Sequence, residues 1–300
     1  MFVKETKAAT QGRRCVVAVL LLALAAMFLA AKCHEPNTRV VVFLQGYYTH
    51  YDAQGTMSTA LEEHTFEMLK SAFVVQGYAA ERLLDYGYEG GTVSAAGEWQ
   101  PAPYSCGDTD RRSEESLRVL ERMLRDYRER HPKAHFTLVG HSLGGLLAFL
   151  EGAREAQRPE GERLGIDVVV TLDAPLRGVD ADKKIILDNF VPCTVKTYAA
   201  GGEVVAAKLD AGTPALRAGQ ATAMAAQGIR LATLGNANDC LFSLNLCLGT
   251  TFVDDGATQY VAEAALSKSY AIASNPLLSH IAVLIEPAVV ADTVGFVGAP

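Results

Sequence analysis

The sequence is short of several things. Six cysteines in 300 residues are too few to build a disulfide scaffold, and none forms a Cys-x-x-Cys pair that would suggest a zinc site. There is one tryptophan. No long Lys/Arg run occurs, and the net charge is −7, so the basic footprint that nucleic-acid binding needs is missing. No Gly-x-Gly-x-x-Gly follows a strand and no Gly-x-x-x-x-Gly-Lys-Ser/Thr occurs, which leaves nucleotide binding without support. Internal repeats and low-complexity tracts are absent. What is present is an apolar fraction of 49% against 20% charged residues, enough for a sizeable core and incompatible with a disordered chain.

The N-terminus differs from the rest. Lys4, Lys7, Arg13 and Arg14 precede an uncharged 17-residue run, Cys15 to Ala31. A basic segment followed by an apolar one is expected to be a signal peptide or an N-terminal membrane anchor, here assigned to residues 1–36. The length falls between the two cases. Lys32 stands before Cys33, where a lipid-acceptor cysteine would have a small residue. On either reading residues 37–300 are exported, secreted or anchored on the outer face of the membrane, with membrane association through the leader. Beyond residue 31 there are 23 basic and 33 acidic side chains, a net of −10. Five cysteines remain there, and an oxidising compartment would let them pair. Cys240 with Cys247, and Cys106 with Cys193, are candidate pairs, with buried free thiols as the alternative.

Past Pro36, short β-branched runs alternate with amphipathic segments. Strands are expected at 39–44, 82–86, 135–139, 166–172, 229–234 and 269–273. Helices are expected at 58–73, 113–130, 143–156 and 259–267, with a last one from His280 interrupted by Pro287. Apolar strands alternating with helices imply an α/β domain with a mostly parallel central sheet and helices on both faces. Two stretches exceed that plan: an irregular loop near 87–112 and Ala-rich material at 176–228.

The strongest chemical signal is Gly140-His141-Ser142-Leu143-Gly144-Gly145, between a strand and a helix. This is the context of a nucleophile elbow: glycines two before and two after the serine let elements approach closely, and the helix N-terminus favours developing negative charge. A serine needs a base. Of seven histidines only His280 lies downstream of Ser142, as the Ser–acid–His order requires. His141 is expected to pack beneath the elbow. For the acid, Asp239, Asp255 and Asp173 each lie near the end of a strand or in a turn, and the choice stays open. No metal site emerges; His50, Asp52 and His64 have no familiar ligand spacing.

At these residues the chain resembles the α/β-hydrolase-fold lipases and esterases, especially small bacterial triacylglycerol lipases. Val41 to Tyr47 is similar to their first strand and His-Gly turn, with Gln45 in place of the histidine. Gly140 to Gly145 resembles their elbow, Thr233 to Phe242 their acid-bearing turn, and Ser279 to Leu284 their histidine segment. The resemblance implies a Ser142–Asp239–His280 triad, although Asp255-Gly256 also looks like the Asp-Gly of other bacterial lipases. The fold's geometry places the oxyanion-hole amides at Leu143 and Tyr47. Tyr47, Tyr48 and Tyr51 line the acyl site or are loop packing. The expectation is a serine hydrolase cleaving carboxylic esters, lipid-like and uncharged, with no cofactor. A thioesterase, amidase or acyltransferase, or a non-catalytic tethered module, are the alternatives.

Overall fold

The structure is a computed structural model that describes residues 38–52, 57–59, 66–180, 199–239, 260–272 and 279–300. The leader, Cys33, Cys193, Cys240, Cys247, Asp254, Asp255 and most of the loop before His280 lie outside the described residues. Chain contacts separate Met1–Thr38 from Arg39–Pro300, and the description below concerns the second unit.

Its centre is a six-stranded sheet. The strands are β1 (Arg39–Leu44), β4 (Leu83–Asp85), β7 (His135–His141), β8 (Ile166–Leu172), β9 (Arg230–Asn236) and β10 (Leu266–Tyr270), in the order β10-β9-β8-β7-β1-β4. Every pairing is parallel. Two small antiparallel hairpins lie outside it: β2 (Thr49–Tyr51) with β3 (Met57–Thr59), and β5 (Gly91–Val93) with β6 (Trp99–Pro101).

Strand pleating explains the all-apolar runs. In β1, Val40, Val42 and Leu44 join one buried cluster while Val41 and Phe43 join the other. Successive side chains point to opposite faces, so a strand covered on both sides must be apolar throughout. The first face carries α2 (Ser113–Arg130), α3 (Leu143–Gln157), α4 (Ala199–Leu209) and α5 (Thr213–Ala226); the second carries α1 (Glu67–Val75) and α6 (Pro287–Val297). Helix α2 buries Leu117, Leu120, Met123, Leu124 and Tyr127, a stripe at three- and four-residue spacing. Its other faces carry ion pairs such as Glu121–Arg125.

One buried carboxylate fixes the turn from α3 into β8. Glu155, 2% exposed, accepts the amides of Leu164 (3.0 Å), Gly165 (2.7 Å) and Ile166 (3.2 Å) and pairs with Arg158 at 2.9 Å. Three backbone donors that would otherwise be unpaired are thereby satisfied.

Several expected boundaries change. The helix expected from 58 starts at Glu67, because residues 57–59 pair with 49–51 instead. No helix occupies the described part of 259–267; Leu266–Tyr270 is the edge strand beside β9. Pro287 does not interrupt the last helix but begins it, since proline lacks the N–H that the first helical turn leaves unused. Among the described residues no helix is long and apolar enough to cross a membrane.

The chain runs from β1 outward to β4 and returns to β7 on the other side of β1. The order therefore reverses between β1 and β7, where connections leave in opposite directions, the point at which open α/β sheets generally place their ligand sites at the carboxyl ends of the strands. Leu44 and Gly140 are paired at that edge.

Candidate active site

Ser142 stands at the reversal point. It follows β7 directly and caps α3, with φ 55° and ψ −126°. A non-glycine residue there is strained, and such strain persists only where surroundings over-determine it. The glycines show how. A Cβ on Gly140 would lie 2.3 Å from the Gly144 carbonyl oxygen. One on Gly144 would lie 2.1 Å from the Leu44 oxygen and 2.4 Å from that of Gln45. The elbow thus packs backbone to backbone against the end of β1. The Ser142 N–H donates to the Leu172 carbonyl at 2.9 Å, which fixes the turn on β8 as well.

The loop after β1 lies against the serine. A Cβ on Gly46 would meet Ser142 Cβ at 2.8 Å and Ser142 Oγ at 3.3 Å. Tyr47 and Tyr48 are then clamped onto the turn at Cys106–Asp110. Tyr47 Oη donates to Asp110 Oδ1 at 2.6 Å, the Tyr48 N–H donates to Thr109 Oγ1 at 2.8 Å, and the two rings stack at 3.8 Å. Burial and the Asp110 carboxylate push the Tyr47 phenol far above its usual range, so it stays a donor. Among the described residues, neither the Tyr47 N–H nor the Leu143 N–H has a hydrogen-bond acceptor. Tyr48 is buried and Tyr51 stacks on Tyr104, so these two rings pack the loop. Gln45 is fully buried, and its side-chain Oε1 and Nε2 have no hydrogen-bond partner among the described residues.

His280 and Asp239 meet at the same edge of the sheet. His280 Nδ1 and Asp239 Oδ2 are 2.6 Å apart; the carboxylate is fully buried and the imidazole side chain 14% exposed. The His280 carbonyl accepts a hydrogen bond from His141 Nε2 at 2.9 Å, and the two rings are 4.7 Å apart. A carbonyl can only accept, so His141 carries its proton on Nε2. Burial, then the neighbouring His280, lowers the His141 pKa to about 3, and His141 is a neutral, buried ring packed against His280. Asp255 lies outside the described residues.

Asp173 does not hold His280. It follows β8 directly, with φ 43° and no exposed surface. Its Oδ1 accepts the Asn236 N–H at 2.6 Å, while Oδ2 is buried and has no hydrogen-bond partner among the described residues. Burial first, and the charge of Asp239 second, raise its pKa well above the aspartate range and favour the neutral acid. Ligand-type atoms of His141, Asp173 and His280 lie within 4.8 Å of one another, the one such group among the described residues. As a metal-binding set it offers two imidazoles and a carboxyl that prefers its proton. No local pattern contains this contact between Asp173 and Asn236, because it arises from two adjacent strands ending in register.

The sequence matches no protein-family model and no curated protein. Among solved structures, Aspergillus fumigatus lipase B superposes with a TM-score of 0.50 at 12% identity, covering 86% of this chain and 52% of that one. The chain has the α/β-hydrolase fold. A structure described with the metagenome-derived lipolytic enzymes LipS and LipT gives a TM-score of 0.47 at 12% identity, over 87% and 93% of the two chains. Phospholipase PlaB from Legionella pneumophila gives 0.45 at 10% identity over 70% of this chain. The chain spans about two fifths of PlaB, 41% of its length. Within the α/β-hydrolase fold, Ser142 occupies the turn after the strand next to β1, Asp239 follows the second strand beyond it, and His280 precedes the last helix.

Proposed function

We propose that this chain is a serine hydrolase that cleaves uncharged, lipid-like carboxylic esters. The observation that carries the reading is the pairing of two features at one sheet edge: a serine held at positive φ in a strand-to-helix turn, and a buried Asp239–His280 hydrogen bond of 2.6 Å. Ser142 Oγ attacks the acyl carbonyl while His280 takes its proton. Asp239 holds the imidazole in the tautomer that makes Nε2 the basic nitrogen and stabilises the imidazolium. The amides of Tyr47 and Leu143 receive the oxyanion. His280 then protonates the leaving alcohol, and water, deprotonated by His280, releases the acid and restores Ser142.

The net charge of −10 beyond the leader disfavours anionic polymers as substrates. The reading includes export, with the basic and apolar N-terminus as signal or anchor. In the oxidising compartment that export implies, Cys106 would be paired.

The test is labelling by a fluorophosphonate probe together with hydrolysis of p-nitrophenyl esters from short to long chains. Wild type is expected to label and turn over; Ser142→Ala is expected to do neither. Undiminished labelling of Ser142→Ala would overturn the reading.

A further inference from the structure

Asp239 and His280 lie far apart in sequence, yet their side chains meet at 2.6 Å. Asn236, the last residue of β9, touches each segment involved and is 1% exposed. Its Nδ2 donates to the carbonyl of Ser279, the residue before His280, at 2.9 Å. Its Oδ1 accepts the N–H of Asn238 (3.0 Å) and of Ile272 (3.1 Å). Its own carbonyl accepts the Asp239 N–H at 3.1 Å, and its N–H donates to Asp173 Oδ1 at 2.6 Å. Every polar group of this residue is therefore engaged. A side-chain amide can donate at one atom and accept twice at the other; an aspartate would turn an oxygen toward the Ser279 carbonyl, and an apolar side chain would leave all three partners unpaired.

We propose that Asn236, braced by Asp173, is a positioning residue that sets the Asp239 turn against the His280 loop and acts on the reaction only through His280. The proposal rests on the triad reading above. Asp173 contributes as a neutral acceptor. Asp239 and the rings of His141 and His280 are its titratable neighbours, and a second negative charge beside Asp239 would be unfavourable in this buried setting. Asn at position 173 would keep both the acceptor and the neutrality, whereas Ala would keep neither partner for the Asn236 N–H.

The experiment uses the full chain with Asn236→Ala, Asn236→Asp, Asp173→Asn and Asp173→Ala, assayed on p-nitrophenyl butyrate. Active sites are counted by the fluorophosphonate so that kcat refers to folded enzyme. A misplacement of about 1 Å in the base costs on the order of 100-fold in rate. Asn236→Ala is expected to lower kcat by about 10- to 100-fold with KM nearly unchanged, and to move the pH profile of kcat/KM that reports the base. Asp173→Asn is expected to stay close to wild type while Asp173→Ala loses rate. Should Asn236→Ala fail to fold, the isosteric Asn236→Asp carries the same expectation. Wild-type kcat and pH profile in the folded Asn236 variants would overturn the proposal, as would equal damage from Asp173→Asn and Asp173→Ala. Failure of the triad reading is separate: it is reported by an active Ser142→Ala or His280→Ala.

Discussion

Replacing Gly46 by alanine tests the oxyanion loop. The added methyl would sit 2.8 Å from Ser142 Cβ and 3.3 Å from both Ser142 Oγ and the His141 carbonyl oxygen. Saturated carbons pack at about 3.5 to 4.0 Å, so a separation must open by roughly 0.7 Å or more. The serine cannot retreat. Its backbone is strained, its N–H is bonded to Leu172, and Gly144 behind it touches the end of β1. The loop must move, and the first amide it carries is that of Tyr47. A hydrogen bond of about 2.9 Å lengthened by that amount passes 3.5 Å and ceases to act as one. The expected result is the loss of one oxyanion donor, about 100- to 1000-fold in kcat, or roughly 3 to 4 kcal/mol of transition-state stabilisation. Because the donor acts on the oxyanion rather than the ground-state ester, KM should change little. Overpacking should cost the fold about 1 to 3 kcal/mol. Steady-state kinetics on a p-nitrophenyl ester, beside a thermal melt, measure both. A folded Gly46→Ala protein with wild-type kcat would refute the argument that this loop supplies the donor.

Other expectations follow from the same contacts. Asp239→Asn should reduce kcat by about 1000- to 10000-fold without unfolding the protein, because the imidazole loses the partner that fixes its tautomer. Asp255→Asn should leave kcat unchanged, and the opposite pattern in ester kinetics would transfer the acid to Asp255. Glu155→Ala leaves the amides of Leu164, Gly165 and Ile166 without their acceptor, and urea denaturation should show a loss of about 3 to 5 kcal/mol; an unchanged midpoint would mean the turn finds other partners. Asp173 has a raised folded pKa, so its contribution is complete below the ordinary aspartate value of 3.8 and is lost as pH rises through the folded value. Asp173→Asn escapes that loss. Its folding equilibrium should gain on wild type by up to about tenfold per pH unit across that window, and denaturant titrations at pH 4 and pH 8 giving the same difference would contradict the assignment.

The parts of the fold that could be read from sequence are those fixed by local periodicity. The stripe of α2 and the β-branched run of β8 carry their own boundaries, and the Gly-His-Ser-Leu-Gly segment carries its own strain. Elements decided by partners depart from what local pattern predicts. Met57–Thr59 pairs across a hairpin, and Leu266–Tyr270 is a strand because β9 offers it an edge, not because its polar alternation is compelling. The site divides in the same way. Elimination singles out His280, since no other histidine follows Ser142. Asp239 was one of three open carboxylates until the resemblance to lipases favoured it, and geometry now places it on His280 while Asp173 faces Asn236. Asn236 itself read only as part of a turn. Its importance comes from bonds to residues 173, 272 and 279, which no pattern within a short window contains.

The pairing order of the sheet also divides the labour of the site along the chain. The contacts that strain and cradle Ser142 come from residues 44–46, 140–145 and 172–174, within strands β1, β7 and β8, the turns just after them and the first turn of α3. The carboxylate that meets His280 Nδ1, and His280 itself, come from beyond β9. A polypeptide ending at Asn236 would contain the whole cradle and neither the acid nor the imidazole. Its serine would be shaped but unactivated. For any chain made from its N-terminus, the proposed base and acid are thus the last parts of the site to be synthesised.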